Sequence, residues 1–175
     1  RVLIFIRDRA PIIIHIHPNV LNFLNKDRFY KNQFETGTSS GTLDRSVRTN
    51  WENRLFNKIY NDAKDKERVK YGVLNIVCDI RGVKPCLHYG DSYILLKSEI
   101  RYRCTFSSKD SGYEDVYPST VEYYEHVLNE FADAELREVV DVACGKKDAG
   151  DSSRISQYKE LQIHGPVRLD QDVEA

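Results

Sequence analysis

Near its end the sequence runs Tyr158-Lys159-Glu160-Leu161-Gln162-Ile163-His164-Gly165, with polar and apolar residues alternating. Such alternation is typical of a β-strand, in which successive side chains point to opposite faces. Glu160, Gln162 and His164 would then share one face, and Gly165-Pro166 would end the strand. A carboxylate, an amide and an imidazole on one face of a strand indicate an active site.

A second polar stretch runs Gln33-Phe34-Glu35-Thr36-Gly37-Thr38-Ser39-Ser40-Gly41 and follows apolar sequence. The hydroxyl groups and the carboxamide can hydrogen-bond the hydroxyls of a sugar or the oxygens of a phosphate. The two glycines allow the backbone to approach a ligand closely. We interpret this stretch as a ligand cradle, and a solvated surface turn is the alternative.

Both stretches carry an amide and a carboxylate two residues apart, as Gln33 with Glu35 and as Glu160 with Gln162. On a strand, each pair would project from one face with a spacing of about 7 Å. The carboxylate could then stabilise an oxocarbenium-like centre while the amide orients the acceptor. The pairs therefore favour transfer of a glycosyl unit.

Length and charge set the limits of the prediction. The chain has 175 residues, 41% of them hydrophobic, which suits a single domain over residues 1–175. The formal net charge of −1 gives no general attraction to nucleic acid or to anionic membranes. The longest apolar run, Ile12–Ile14, is far shorter than a membrane span, and no signal peptide is visible. Since the sequence contains no methionine, we expect a domain excised from a longer chain.

The pattern of apolar residues predicts an α+β fold without repeats. We expect strands at Ile12–His17, Tyr71–Cys78, Leu87–Leu96, Arg101–Phe106 and Ile155–His164, with Val2–Ile6 either a strand or a helix. Asn19–Asn25 is expected to form a turn or a short helix. The irregular succession of strands and helices argues against a doubly wound parallel sheet.

Two longer helices are predicted. The first would begin at an N-cap formed by Asp44 and bury a stripe made of Leu43, Val47, Trp51, Leu55 and Ile59. The second would run from about Ser119 to Cys144, with Gly145 ending it. Its inward-facing residues would be Val121, Tyr124, Leu128, Phe131, Leu136 and Val139.

Histidine and cysteine spacing gives only weak indications of a metal. His15-Ile16-His17 ends an apolar strand, and such a pair can present two imidazoles to zinc or manganese. The other histidines show no supporting spacing, so a core role for His15 and a direct ligand contact for His17 are favoured. The four cysteines lack C-x-x-C spacing and are expected to be free thiols. Arg28 offers a guanidinium fork that suits a pyrophosphate, although a surface ion pair is the common alternative.

Taken in order along the chain, several motifs resemble a bacterial domain family of formerly unknown function. Its members look like effectors that attach ADP-ribose to a threonine of host ubiquitin. The matching motifs are His17-Pro18, Gln33 to Gly37 with Ser39 and Gly41, Trp51-Glu52 with Phe56, Lys70 to Gly72 with Leu74-Asn75, Tyr89-Gly90, Thr105-Phe106, Asp110-Ser111, and Glu160 with Gln162 to Val167.

This resemblance implies an ADP-ribosyltransferase-like split antiparallel β-sandwich with flanking helices. It implies NAD as co-substrate, nicotinamide as product, no metal, and ubiquitin as the protein partner. It also implies a secreted bacterial effector, a toxin or virulence factor, that acts as a monomer in the host cytoplasm and blocks ubiquitination there.

The resemblance leaves the catalytic glutamate open between Glu160 and Glu35. The late motif of such transferases reads E-x-E or Q-x-E, whereas Glu160-Leu161-Gln162 has the reverse order and Gln33-Phe34-Glu35 comes early. In the expected site the chosen glutamate would hold the ribose 2′-hydroxyl. The residues expected to bind NAD are His17, Arg28, Gln33, Thr36, Thr38, Ser39, Tyr71, Tyr89, Gln162 and His164, with Tyr71 or Tyr89 stacking on nicotinamide.

Two other classes of function stay open. A metal-dependent hydrolase would use His15 and His17, and a chelator would inactivate it. A non-enzymatic protein-binding module would need neither glutamate, and it would have no reason to place polar residues along the inner face of a strand.

Overall fold

The structure is a computed structural model that describes residues 1–39 and 44–175. Ser40 and Gly41 of the proposed cradle, and Leu43 of the predicted apolar stripe, lie outside the described residues. The described part is a mixed α+β fold with two antiparallel sheets, one of five strands and one of two. The α+β prediction is therefore confirmed.

Seven strands and six α-helices follow one another in the described part of the chain. The strands are β1 (Ile12–Ile16), β2 (Phe29–Tyr30), β3 (Lys70–Leu74), β4 (Ser92–Leu96), β5 (Cys104–Phe106), β6 (Lys159–Ile163) and β7 (Val167–Arg168). The helices are α1 (Val2–Asp8), α2 (Leu21–Leu24), α3 (Gln33–Thr36), α4 (Arg45–Leu55), α5 (Glu125–Leu128) and α6 (Asp133–Ala143). None of these helices is both long and apolar enough to cross a bilayer.

The five-stranded sheet has the order β4-β1-β3-β6-β5, and each neighbouring pair runs antiparallel. Strand β6 lies between β3 and β5, so that Gln162 is opposite both Tyr71 and Thr105. Strands β2 and β7 form the second sheet. The polar strand that stood out in the sequence is thus an interior strand of the main sheet.

The two faces of the main sheet have different partners. Ile12, Ile14 and Ile16 of β1 belong, with Leu161 and Ile163 of β6, to the larger apolar core. Helices α1 and α6 contribute to the same core, which explains why one face of every central strand is apolar. The opposite face carries a smaller apolar cluster made of Ile13, Val73, Val83, Cys86 and Tyr158.

Two local predictions were wrong, and the structure decides a third that was left open. Val2–Asp8 is a helix, which was one of the two alternatives. Gln33–Thr36 is also helical rather than extended, because the side chain of Asn32 accepts hydrogen bonds from amides of the first turn and the Glu35 carboxylate accepts one from the amide of Asn32. The long helix predicted from Ser119 to Cys144 is broken into α5 and α6, and α6 begins with its own acidic first turn at Asp133 and Glu135.

The burial pattern of that region was nevertheless predicted well. Val121, Tyr124, Phe131 and Val139 are all buried in the larger core. The side chain of Asp44 caps α4, as expected, by accepting hydrogen bonds from the amides of Ser46 and Val47. Ile59, in contrast, is 77% exposed and lies beyond the end of α4. All four cysteines are free thiols, as predicted.

A buried ion pair ties α4 to the chain that leads into β3. Arg68 Nη1 donates to Glu52 Oε2 at 2.6 Å, and the two side chains are 5% and 0% exposed. The guanidinium carbon of Arg68 also lies 4.6 Å from the centre of the Phe34 ring in α3. One arginine therefore holds three segments of the chain together, and two of them, α3 and α4, line the cleft described below.

We expect Arg68→Met to lower the free energy of unfolding by about 3–5 kcal/mol, because it removes the ion-pair partner of the buried Glu52 carboxylate. The double variant Arg68→Met/Glu52→Leu should recover much of that loss. Chemical denaturation at neutral pH measures all three proteins. Arg45→Met is the matched control, since Arg45 pairs with Asp65 at the surface and should change stability by less than about 1 kcal/mol. Equal losses in both arginine variants would contradict this account.

Candidate active site

A cleft of about 880 Å³ opens on the polar face of the main sheet. Strands β1, β3 and β6 contribute to its lining, and so does Phe29–Tyr30 of the second sheet. The segment Gln33–Ser39 and helix α4 form further parts of the wall. A volume of this size falls within the range of about 300–1,000 Å³ that is usual for small-molecule sites.

Glu160 lies on β6 and lines the cleft. Its side chain is only 6% exposed, and its Oε1 accepts a hydrogen bond of 2.8 Å from Gln162 Nε2. Burial raises the pKa of Glu160 to about 8, and the charge of Asp110 adds to this rise, whereas hydrogen bonds from Ser111 and Gln162 oppose it. At neutral pH the protein without ligand therefore holds Glu160 mostly in its protonated form.

A series of hydrogen bonds continues from Gln162 through Thr105 and His164 to Tyr60. Thr105 Oγ1 lies 2.8 Å from Gln162 Oε1 and 3.1 Å from His164 Nε2. The other ring nitrogen of His164 lies 2.6 Å from the hydroxyl of the half-buried Tyr60. Tyr60 is thus connected to Glu160 through side chains of β5, of β6 and of the residue that follows β6.

The chemistry of these groups shows which group donates and which accepts in each of these hydrogen bonds. The oxygen of Gln162 can only accept, so the Thr105 hydroxyl donates to it, and His164 must donate to Thr105 through Nε2. Nδ1 of His164 is then unprotonated and accepts from Tyr60, a tautomer that follows from the network. Burial lowers the pKa of His164, which agrees with a neutral ring. Every donor in this series of hydrogen bonds is aimed toward Glu160, and this arrangement stabilises the ionised form of Glu160.

A second carboxylate, Asp110, lies beside Glu160 on the wall of the cleft. The hydroxyl of Tyr158 donates to Asp110 Oδ2, and the amide of Gly112 donates to Oδ1 at 2.6 Å. Tyr89 lies 3.2 Å from Tyr158, measured between the two hydroxyl oxygens. Burial and the charges of Glu160 and Asp110 raise the pKa of Tyr158, so this phenol stays protonated and continues to donate.

Glu35 also lines the cleft, but its carboxylate has a structural task. Its Oε2 accepts a hydrogen bond of 3.0 Å from the backbone amide of Asn32 and thereby completes the capping box of α3. Asn32 in turn donates to the carbonyls of Asp65 and Arg68, which fixes the segment to the chain before β3. The hydroxyl of Thr36 likewise donates to Asn32 O at 3.2 Å.

Arg48 is a cleft residue that the sequence reasoning missed. Its guanidinium donates to Ser39 Oγ at 3.0 Å, and its carbon lies 5.7 Å from the Trp51 ring centre and 6.0 Å from that of Tyr71. The predicted alternative, Arg28, is exposed and is not part of the cleft lining. In the sequence, Arg48 lies one turn before Trp51, which was predicted to face the core. This position on α4 was the available indication that Arg48 lies on the same side of the helix.

His15 and His17 have different surroundings. Nδ1 of His15 lies 2.8 Å from Gly90 O, and Nε2 accepts a hydrogen bond of 3.0 Å from the amide of Val83. Both ring nitrogens are therefore used within the fold, and His15 could bind a metal only by giving up one of these bonds. His17 is exposed and lines the cleft. Within residues 1–39 and 44–175, no group of three or more His, Cys, Asp or Glu side chains is arranged to hold a metal.

The structure brings most of the residues expected from the sequence into one place. Those that line the cleft are His17, Gln33, Glu35, Thr36, Thr38, Ser39, Tyr71, Tyr89 and Glu160. Gln162 and His164 lie behind Glu160 in the hydrogen-bond chain, and Arg28 lies outside the cleft. Asp110, Tyr158, Arg48 and Trp51 are cleft residues that were not predicted as ligand contacts.

Comparison with known proteins identifies the family. Residues 11–147 match the family described as "Protein of unknown function (DUF3626)", and the chain belongs to that family. The match confirms the expected membership of a domain family of unknown function. The matched range includes His17, Arg48 and Asp110 but ends before Glu160. No curated protein matches the chain.

The raised pKa of Glu160 predicts a characteristic dependence of stability on pH. The unfolded chain binds this proton only below the usual glutamate value of about 4.3, whereas the folded protein keeps it up to a pKa of about 8. The folded state therefore binds more protons between these values, and Glu160 makes the free energy of unfolding fall as pH rises, by at most about 1.4 kcal/mol per pH unit. Glu160→Gln lacks this dependence, so its stability advantage over the wild type should grow up to about pH 8. A difference that is constant from pH 5 to 9 would contradict the raised pKa.

The hydrogen-bond chain makes a separate prediction. Thr105→Val removes the hydroxyl that holds Gln162, so the amide is free to turn away from Glu160 and the pKa of Glu160 should rise further. A titration of the Glu160 carboxyl carbon by NMR measures this directly. Thr120→Val, at an exposed threonine, is the matched control and should leave the titration unchanged. An unaltered pKa in Thr105→Val would show that the chain does not act on Glu160.

Proposed function

We propose that this protein is a mono-ADP-ribosyltransferase that transfers ADP-ribose from NAD to a side chain of a protein. The observation that carries this proposal is the buried Glu160 in the lining of a cleft, with a series of hydrogen-bond donors aimed at it. A carboxylate in such a place can accept a hydrogen bond from a ribose hydroxyl. It can also stabilise the positive charge that develops on the ribose as the bond to nicotinamide breaks.

The remaining cleft residues supply groups that suit the parts of NAD. The guanidinium of Arg48 suits a pyrophosphate, because its fork can donate two parallel hydrogen bonds. The aromatic rings of Tyr71, Tyr89 and Trp51 offer faces on which a nicotinamide or an adenine can stack. His17, Gln33 and the hydroxyls of Thr36, Thr38 and Ser39 add hydrogen-bonding groups for the riboses and phosphates.

The arrangement of the sheets is compatible with the proposal. A split sandwich of two antiparallel sheets that binds NAD between them is the fold expected of an ADP-ribosyltransferase. Strands of both the five-stranded and the two-stranded sheet border the cleft. We extend the proposal to a threonine of ubiquitin as acceptor, and to a bacterial effector that blocks ubiquitination in the host cytoplasm, on the strength of the sequence resemblance.

Between the two glutamates, Glu160 is the better candidate for catalysis. Glu35 is engaged with the backbone of Asn32 at the start of α3, so a catalytic role would compete with that bond. The hydrolase alternative is weakened in a similar way, because both nitrogens of His15 are engaged within the fold.

The test is incubation of the protein with NAD, with and without ubiquitin, followed by intact-mass spectrometry and an assay for released nicotinamide. We expect ubiquitin to gain the mass of one ADP-ribosyl group. Glu160→Gln should lower the rate by a factor of about 10² to 10³, the usual cost of removing one group that stabilises the transition-state charge.

Glu35→Gln is the matched control, because glutamine can also complete a capping box. This variant should stay folded and keep most of the transferase activity. If Glu35→Gln were inactive and Glu160→Gln active, the roles of the two glutamates would be reversed. Absence of both nicotinamide release and added mass in the wild type would overturn the transferase proposal.

A further inference from the structure

Asp110 and Tyr158 form a wall between the cleft and a second, more open hollow of about 420 Å³. The hollow is lined by His88, Asp110, Gly112, Tyr113, Gln157 and Tyr158. Asp110 therefore faces both spaces, and a group that enters from the hollow can reach the same carboxylate that borders the site of Glu160.

The carboxylate of Asp110 is held in a fixed orientation. Tyr158 donates to one oxygen and the amide of Gly112 donates to the other, at 2.6 Å. Each carboxylate oxygen can still accept a further hydrogen bond through its second lone pair. Asp110 can therefore accept a proton from an incoming hydroxyl without leaving its partners.

The two neighbouring carboxylates have different surroundings. Glu160 is buried in the sheet and receives the hydrogen-bond chain from Gln162, whereas Asp110 is partly exposed between two open spaces. Such a division suits two roles, one carboxylate acting on the sugar and the other on the nucleophile. A hydroxyl acceptor needs the second role, because it must lose its proton as it bonds to carbon.

We propose that Asp110 is the general base of the transfer, and that the acceptor hydroxyl of the target protein enters through the hollow beside Tyr113 and Gln157. This inference rests on the proposed transferase function. In the step, the bond between ribose C1′ and the nicotinamide nitrogen breaks, and its electron pair neutralises the ring, which leaves. The acceptor oxygen bonds to C1′, and its proton moves to the Asp110 carboxylate, which later releases it to water.

The decisive experiment compares two acceptors in the same variants. Azide already carries its negative charge and needs no base, whereas the ubiquitin hydroxyl does. Asp110→Asn should slow transfer to ubiquitin by a factor of about 10² to 10⁴ and leave the formation of ADP-ribosyl azide close to the wild-type rate. Glu160→Gln should slow both reactions, because it acts on the sugar.

A second substitution at the same position, Asp110→Ser, distinguishes loss of the base from loss of the local structure. The introduced hydroxyl can still accept a hydrogen bond from Tyr158 or from the amide of Gly112. Asp115→Asn is the surface control, because the side chain of Asp115 is 71% exposed and forms an ion pair with Lys109. This variant should react normally with both acceptors. If Asp110→Asn transfers to ubiquitin as fast as the wild type, or if neither Asp110 variant keeps the azide reaction, the role of Asp110 as base is overturned. If the wild type itself does not cleave NAD, the failure belongs to the proposed function instead.

Discussion

The burial of Glu160 and Gln162 on an interior strand is the constraint on which the rest of the site depends. A carboxyl and an amide in the middle of a sheet are costly unless each finds hydrogen-bond partners. The fold meets this requirement with Ser111, which bonds Glu160, and with Thr105 of β5, which bonds Gln162. His164, just after β6, bonds Thr105 in turn. Strand pairing brings these partners together, because Thr105 and Tyr71 lie opposite Gln162 on the two neighbouring strands.

The same constraint explains which parts of the fold could be predicted from the sequence. Alternation along β6 is a local pattern, so the shared face of Glu160 and Gln162 could be predicted without knowing the neighbouring strands. Burial of Val121, Tyr124 and Phe131 could be predicted for the same reason, since apolar spacing indicates an inward face even where the helix is broken. The segment Gln33–Thr36 was predicted as extended from the spacing of its amide and its carboxylate. It is helical because Asn32 and Glu35 have the spacing of a capping box.

The parts that could not be predicted are those that depend on contacts between distant segments. Asp110 meets Tyr158 across 48 positions of sequence, and no local pattern around Asp110 marks it as a cleft residue. Arg48 looked like an ordinary polar residue of an amphipathic helix, and its place in the cleft follows from its contacts with Tyr71 of β3 and with Ser39. The ion pair of Glu52 with Arg68 could likewise not be predicted, since the two residues lie 16 positions apart in the sequence.

The electrostatics of the cleft bear on how a transferase of this kind would respond to its co-substrate. In the free protein, burial and Asp110 keep a proton on Glu160 at neutral pH. The nicotinamide ring of NAD carries a positive charge, and a cation beside Glu160 would favour the ionised form that a developing oxocarbenium requires. Cleavage makes nicotinamide neutral, so the favourable interaction passes from the ring to the ribose as the bond breaks. An interaction that is stronger in the transition state than in the ground state lowers the barrier. In the proposed transferase, the buried position of Glu160 would strengthen this attraction, because its surroundings are of low polarity.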